Sequence, residues 1–83
     1  MSNTVTVYSN PGCGPCMVSK RHLKFLSIEF EEKSANDHPE AIALAIDHGN
    51  NPAAPNVEIC SQSGELVDIW TEHRKTKILV LAG

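Results

Sequence analysis

The organisation of this chain depends on one stretch, which reads SNPGCGPC at positions 9–16. Before it, the segment TVTVY at positions 4–8 alternates polar and apolar residues, which predicts a β-strand. After it, residues 17–26 carry apolar side chains at helical spacing and contain no glycine or proline, which predicts an α-helix. The two cysteines, Cys13 and Cys16, therefore lie where a strand gives way to a helix, and we expect both on the first helical turn.

The residues around the two cysteines suit a tight junction of this kind. Pro11 and Gly12 end the strand, because proline and glycine both favour turns. Pro15 is tolerated in the first helical turn, since no intrahelical N–H is needed there. We therefore assign Pro11, Gly12, Gly14 and Pro15 to a candidate active-site loop.

The spacing of the two cysteines predicts thiol–disulfide redox chemistry. Two intervening residues, wound into a helical turn, bring the sulfurs close enough for a disulfide. Cys13 is expected among the unpaired N–H groups of the helix N-terminus, where the helix dipole favours a thiolate, so it is the natural nucleophile. Cys16 is expected one turn deeper and more buried, where it is suited to resolve a mixed disulfide.

Two other uses of the cysteine pair fit the sequence less well. A zinc site needs two further ligands, and neither Cys60 nor the four histidines form a second paired motif. A structural disulfide closing so short a loop would contribute little stability. We therefore expect no metal and no cofactor beyond the Cys13–Cys16 disulfide, and we expect Cys60 to be a small, partly buried apolar residue.

Length and charge limit the possible functions further. Eighty-three residues predict one domain, spanning 1–83. Seven basic and ten acidic residues give a net charge of −3, which argues against binding nucleic acid through phosphate contacts. The first four residues carry no basic segment, and no apolar run is long enough for a signal peptide or a membrane span. These features predict a monomer in the reducing cytoplasm, where such a cysteine pair is more often catalytic than structural.

The rest of the chain predicts further strands and helices. They are a strand at 27–33, a helix beginning at Asp37–Glu40 and ending at Gly49, strands at 55–60 and 65–70 joined by a turn at 61–64, and a helix at 75–82. The order is β-α-β-α-β-β-α. A right-handed crossover makes the first two strands parallel, and the last two form an antiparallel hairpin. The expected fold is therefore α/β, with a four-stranded mixed sheet flanked by three helices.

The helix after the cysteines has two expected faces. The apolar arc, expected to face the core, contains Val18, Leu23, Phe25 and Leu26. The basic arc contains Lys20, Arg21 and Lys24. Such an arc is a solvated surface or a region that attracts an acidic partner.

Several segments of the chain match one known family. They are VYSNPGC at 7–13, Lys20-Arg21 followed by Leu23, Ala54-Pro55, and WTEHR at 70–74 followed by Lys77-Ile78. With the element order, these segments make the chain similar to the thioredoxin/glutaredoxin superfamily, and within it to the glutaredoxin-like NrdH-redoxins. The segment at 70–74 aligns with the Trp-Ser-Gly-Phe-Arg-Pro-Asp motif of those redoxins, although only Trp70 and Arg74 are identical.

The resemblance implies a thioredoxin-like fold and a role for individual residues. Cys13 would attack a substrate disulfide and Cys16 would resolve the mixed disulfide. Pro55 would be a cis-proline facing the disulfide, leaving the backbone of Ala54 free to pair with a substrate strand.

The resemblance also suggests residues that contact or support the docking of a substrate. Tyr8 belongs to the matching strand, and Arg74 would anchor the loop before the last helix. Trp70 is either part of a docking surface or a core residue.

The resemblance further implies partners, namely thioredoxin reductase as the electron source and ribonucleotide reductase as the acceptor. Glutaredoxins usually carry a lysine where this chain has Asn10, and a Gly-Gly turn where it has Thr71-Glu72. Both differences weaken a glutathione site, and the Cys-Gly-Pro-Cys interior resembles thioredoxin, which implies a more reducing couple. The alternatives are a glutathione-dependent glutaredoxin or a module that binds zinc or an iron–sulfur cluster.

Overall fold

A computed structural model describes residues 3–82. Met1 and Ser2, on which part of the expectation about an export signal rests, and Gly83 lie outside the described residues. The elements are β1 (Thr4–Ser9), α1 (Gly14–Phe25), β2 (Glu31–Ser34), a short 3-10 turn (Ala35–Asp37), α2 (Pro39–Asp47), β3 (Asn56–Cys60), β4 (Leu66–Thr71) and α3 (Lys75–Ala82). This order confirms the predicted β-α-β-α-β-β-α arrangement.

The four strands form one mixed sheet in the order β2-β1-β3-β4. β1 and β2 are parallel, as a crossover through α1 requires, whereas β3 is antiparallel to both β1 and β4. β3 and β4 form the predicted hairpin, with a bulge between Ile59 and Cys60.

The core lies between the sheet and the layer formed by α1 and α3. Alternate residues of β1, β3 and β4 face this layer and pack with Leu23 of α1 and Ile78 of α3. The buried members from the strands are Val5, Val7, Val57, Ile59 and Trp70. The opposite face of the sheet carries a smaller cluster of Tyr8, Ala35 and Ala41, and Ala41 belongs to α2. The sheet therefore has helices on both faces, as predicted.

The second strand is shorter than predicted, because residues 27–30 do not join the sheet. Ser27 has a φ of 59°, which ends α1 in a left-handed turn. The N–H of Ile28 then donates to the carbonyl of Leu23 at 2.9 Å. Pairing with β1 begins only at Glu31, opposite Thr6. The alternation that predicted a strand from residue 27 reflects instead the partial burial of Ile28 and Phe30 against the core.

The inward face of α1 is also narrower than predicted. Its buried residues are Cys16, Ser19 and Leu23, whereas Val18 is half-exposed and Phe25 is 83% exposed. Only one stripe of a helix can contact a sheet, and here that stripe continues from the buried Cys16. The expectation that Val18 and Phe25 face the core was wrong.

The start of α2 differs from the predicted capping arrangement, and its end agrees. Asp37 lies in the 3-10 turn, and the N-cap is His38, which makes no side-chain capping bond. Pro39 opens the helix, as expected of proline in a first turn. Gly49 follows the helix with a φ of +82°, which confirms it as the left-handed residue past the C-cap.

Candidate functional site

Four connecting segments lie together at the edge of the sheet where β1, β2 and β4 end and β3 begins. Tyr8 near the end of β1 pairs with Asn56, the first residue of β3, and Asn56 pairs with Thr71, the last residue of β4. The loop after β1, the residues before β3 and the loop after β4 therefore meet at this edge. Ser34, at the end of β2, pairs with Ser9 there as well. Cys13 and Pro55 lie in these loops, and Cys16 lies in the first turn of α1, directly after the loop that follows β1.

Cys13 occupies the N-cap of α1, one position before the first turn in which it was expected. Its backbone is extended, with φ −81° and ψ 109°, and the helix itself begins at Gly14. The backbone N–H of Cys16 points at the Cys13 Sγ, with an N···S distance of 3.1 Å. An N-cap side chain normally accepts such a bond through oxygen, and here a sulfur takes that place. The bond and the helix dipole both stabilise negative charge on Cys13.

The two cysteines form a disulfide, with their Cα atoms 5.2 Å apart. Cys13 is partly exposed, whereas Cys16 is 0% exposed. Cys16 is thus the more buried member of the pair, as expected. In this geometry an incoming sulfur can reach Cys13 but not the fully buried Cys16.

The disulfide lines a cleft of about 420 Å³. Its other lining residues come from the loop after β1 (9–12), from α1 (Met17 and Lys20) and from β2 (32–34). Glu32 accepts hydrogen bonds from the Lys20 ammonium and from the Ser9 hydroxyl. The bond from Lys20, and then the bond from Ser9, hold the pKa of Glu32 below its usual range. The cleft beside the sulfurs therefore contains a paired carboxylate and lysine.

The Ala54–Pro55 peptide bond is cis. Pro55 is buried directly before β3, and its carbonyl accepts a hydrogen bond of 2.8 Å from the N–H of Glu72. This bond joins the residues before β3 to the loop after β4. Ala54 is only partly buried. A role of Ala54 in pairing with a substrate strand remains a proposal.

Tyr8 and Trp70 do not present their side chains to a partner. Tyr8 is buried on the α2 side of the sheet, where its ring meets the ring of His38 edge-on at 5.4 Å. Burial first, and then the charge of Glu58, raise the pKa of Tyr8. Trp70 is 1% exposed and belongs to the main core. Of the two roles considered for Trp70, the structure therefore supports that of a core residue. Neither aromatic ring is exposed enough to contact a substrate directly, contrary to the expectation from the resemblance.

Arg74 lies at the turn between β4 and α3. Its Nε donates to the carbonyl of Thr71 at 3.3 Å, and its own carbonyl accepts from the N–H of Ile78, also at 3.3 Å. The residue as a whole is exposed. These two bonds connect Arg74 to both sides of the turn, and its role as an anchor of this loop stays a prediction.

The structure adds three residues that the sequence analysis did not assign to the site. Ser19 of α1 is fully buried, and its Oγ lies 2.7 Å from Nδ1 of His73. The Oδ1 of Asn10 is buried without a hydrogen-bond partner among residues 3–82. A serine on the inward stripe of a helix, one turn after Cys16, is the sequence signal that could have indicated Ser19.

Two polar residues of β3 lie on the α2 side of the sheet, away from the disulfide. Cys60 is a free, partly buried thiol, as expected. Glu58 is also partly buried, and burial raises its pKa, with Lys33 opposing this effect. Across positions 3–82, no three metal-ligating side chains are grouped closely enough to hold an ion.

Solved structures of a related protein share this architecture. The thioredoxin-like protein BC3987 is 28% identical in sequence, with a TM-score of 0.65, and the match covers 94% of this chain and 99% of that chain. A mutant form of the same protein gives the same identity and TM-score, over 94% of this chain and 92% of that chain. The fold is therefore thioredoxin-like.

Other comparisons concern the sequence itself. No curated protein matches this chain at a significant level. None of the helices formed by the described residues has the length and apolar character needed to span a membrane. The sequence profile of the glutaredoxin family matches residues 5–63, which include both redox cysteines, Pro55 and three of the four strands. With its thioredoxin-like fold and its Cys13–Cys16 disulfide, this chain belongs to the glutaredoxin family.

Proposed function

We propose that this chain is a dithiol redoxin of the NrdH type, which reduces disulfides in other proteins. The Cys13 thiolate attacks one sulfur of the target disulfide, and the other target sulfur leaves with the electron pair. The Cys16 thiolate then attacks Cys13 in the mixed disulfide, which releases the second target sulfur and forms the Cys13–Cys16 disulfide. The redoxin loses two electrons and the target gains them.

One observation carries this proposal, namely the difference in exposure between the two sulfurs. Cys13 is accessible at a helix N-cap, where its charge is stabilised by the N–H of Cys16, and Cys16 is 0% exposed directly behind it. A dithiol mechanism needs one sulfur that can react with the target and a second sulfur that can react only with the first sulfur. No added cofactor is required for this chemistry, because the reduced, dithiol form of the Cys13–Cys16 pair supplies the two electrons.

Two features of the site favour a flavin-containing thioredoxin reductase over glutathione as the electron source. Asn10 stands where glutaredoxins usually have a lysine, and so provides no positive charge for a glutathione carboxylate. Glu72 stands in place of a glycine in the loop after β4, and its exposed carboxylate would repel the same ligand.

The proposed acceptor of the electrons is ribonucleotide reductase, in the reducing cytoplasm. The support is the partial agreement of residues 70–74 with the NrdH-redoxin motif, together with the loop that Arg74 holds at the edge of the sheet. The chain would act as a monomer, with the acceptor contacting Cys13 and the backbone near Ala54.

A glutathione-dependent glutaredoxin is the second candidate. The match of residues 5–63 to the glutaredoxin family favours it, since many members of that family use glutathione. The two candidates share the chemistry of Cys13 and differ in the molecule that reduces the Cys13–Cys16 disulfide.

The test follows NADPH oxidation during reduction of a protein disulfide such as that of insulin. The purified protein is coupled in parallel to thioredoxin reductase and to glutathione with glutathione reductase. We expect turnover with thioredoxin reductase and little turnover with glutathione. Turnover with glutathione alone would overturn the choice of reductant in favour of a glutaredoxin.

Two variants test the assigned roles of the cysteines in the same assay. We expect Cys13→Ser to abolish turnover, because no accessible nucleophile remains. We expect Cys16→Ser to retain the attack by Cys13 but to accumulate a mixed disulfide, which mass spectrometry of the intact protein detects. If neither reductase supports turnover and the purified protein carries bound metal or absorbs visible light, the metal-binding alternative replaces the redoxin.

A further inference from the structure

Ser19 is a fully buried polar residue close to the redox site. It is 0% exposed and lies on the inward stripe of α1, one helical turn after Cys16. Residues three apart on a helix are neighbours, and helical side chains point back towards the N-terminus. Ser19 and Cys16 are therefore neighbours on the buried stripe of α1.

The Ser19 hydroxyl is hydrogen-bonded to a residue that is distant in the sequence. Its Oγ lies 2.7 Å from Nδ1 of His73, which is 54 residues away in the loop between β4 and α3. His73 is only partly buried. One side of the imidazole thus meets a buried hydroxyl, while part of the ring is accessible to solvent.

Resolution of a mixed disulfide needs a base for the buried resolving thiol. Cys16 must lose its proton before it can attack Cys13, and a 0% exposed thiol has no direct access to water. Imidazole is the side chain that exchanges protons most readily near neutral pH. A hydroxyl can donate its own proton while it accepts another, so it can connect a thiol to an imidazole.

We propose that Ser19 and His73 form a proton path for the Cys16 thiol, a role that rests on the proposed dithiol function. As the mixed disulfide is resolved, the Cys16 proton passes to Ser19 Oγ and the Ser19 proton passes to Nδ1 of neutral His73. The Cys16 sulfur then forms its bond to Cys13, and the bond between Cys13 and the target sulfur breaks. The target sulfur leaves as a thiolate, and His73 returns its proton to water.

The charged surroundings of His73 matter for any dependence on pH. From α1, the ring of His22 lies with its centroid 6.2 Å from that of His73. From the loop and the start of α3, one acidic and three basic residues line a shared cavity with His73: Glu72, Arg74, Lys75 and Lys77. His22 makes no hydrogen bond to Ser19, so it provides a matched control for the loss of an imidazole near the site.

The experiment separates the two chemical steps with an aromatic disulfide, dithiobis(nitrobenzoate), whose released thiolate is coloured. All variants carry Cys60→Ser, so that the free thiol does not react. Mixing reduced protein with one equivalent of the reagent should release colour in two phases. The first, bimolecular phase reports attack by Cys13, and the second, unimolecular phase reports resolution by Cys16. Both rates are measured from about pH 5 to pH 9, the range in which imidazole acts as a base.

Three variants are compared with the Cys60→Ser background. We expect Ser19→Ala and His73→Asn to slow the second phase at neutral pH by about a hundredfold, the lower end of the range of general base catalysis. We expect both to remove the sigmoidal pH dependence of that phase and to leave the first phase unchanged. We expect His22→Ala to leave both phases unchanged.

The His73→Asn variant distinguishes a proton path from a purely structural bond. The asparagine amide can still hydrogen-bond to Ser19 but cannot accept a proton near neutral pH. Resolution at the background rate and with the background pH profile in His73→Asn or Ser19→Ala would overturn the inference, as would an equal loss in His22→Ala. If the background protein shows no first phase, the proposed function itself fails, and the inference fails with it.

Discussion

At the scale of single residues, two glutamates in the sheet have opposite electrostatic environments. Glu32 of β2 is held as a carboxylate by hydrogen bonds from Lys20 and Ser9, which lower its pKa. Glu58 of β3 is partly buried on the α2 side of the sheet, and this burial raises its pKa. The charged form is therefore stabilised in one case and destabilised in the other.

The two glutamates should have opposite effects on the dependence of stability on pH. The folded protein binds a proton at Glu58 more tightly than the unfolded chain does, so this residue's contribution to stability is present at acidic pH. It is lost as the pH rises through the raised pKa. We therefore expect Glu58→Gln to increase the free energy of unfolding at neutral pH and to have little effect at acidic pH. Urea unfolding at the two pH values measures this difference.

Glu32→Gln is the matched control for Glu58→Gln. The pKa of Glu32 is lowered on folding, so its contribution to stability is present above the unfolded pKa and is lost as the pH falls through the folded pKa. About half of the Glu32 side chain is exposed, and solvent screening limits this contribution to at most about 1 kcal/mol. We expect Glu32→Gln to decrease stability at neutral pH. A change of the same sign in both variants would contradict the two assigned environments.

At the scale of the elements, the ends of the helices follow from local chemistry. Gly49 after α2 has a φ of +82°, a conformation that costs about 1 to 2 kcal/mol for a residue with a Cβ atom. The N-cap of α1 is Cys13, and the start of that helix is therefore part of the redox site. The end of α2 at Gly49 is recognisable from the sequence, because a left-handed residue past a helix favours glycine.

Two glycine substitutions test the effect of backbone conformation alone. A Cβ atom added at Gly49 or at Gly14 would contact no atom within 4 Å. Of these two glycines, Gly49 has a positive φ and Gly14 does not. We expect Gly49→Ala to lower the free energy of unfolding by about 1 kcal/mol. We expect Gly14→Ala, in the first turn of α1, to be neutral or slightly stabilising. Thermal or urea unfolding measures both, and an equal loss in the two variants would contradict the conformational explanation.

At the scale of the whole molecule, a single small core holds the sheet against α1 and α3. Its buried side chains come from β1, β3, β4 and both of these helices. An 83-residue domain buries a limited apolar area, so each of these side chains contributes a large share of the stability. The same packing sets which stripe of α1 faces inward, and hence how deeply Cys16 and Ser19 are buried.

Leu23 and Phe25 test which face of α1 contacts the core. Leu23 is fully buried, and we expect Leu23→Ala to lower the free energy of unfolding by about 2 to 5 kcal/mol, because it leaves a cavity. Phe25 is 83% exposed, and we expect Phe25→Ala to change stability by less than about 0.5 kcal/mol. A larger loss for Phe25→Ala than for Leu23→Ala would contradict the observed orientation of α1.

Four features could be predicted from the amino-acid sequence alone: the element order, the bounds of α3, the left-handed residue at Gly49 and the position of the cysteine pair at a strand–helix junction. These features depend on the period of the apolar residues and on backbone preferences, which are local properties. The family resemblance added the cis bond at Pro55.

Which side chains contact each other depends on the packing of the whole chain. The predicted apolar arc of α1 was wider than the stripe that contacts the sheet, so Val18 and Phe25 were misplaced. Residues 27–30 have the alternation of a strand, but they turn away before pairing begins at Glu31. The bond between Ser19 and His73 joins residues 54 positions apart. No local pattern encodes such a contact, because it depends on how the helices pack against the sheet.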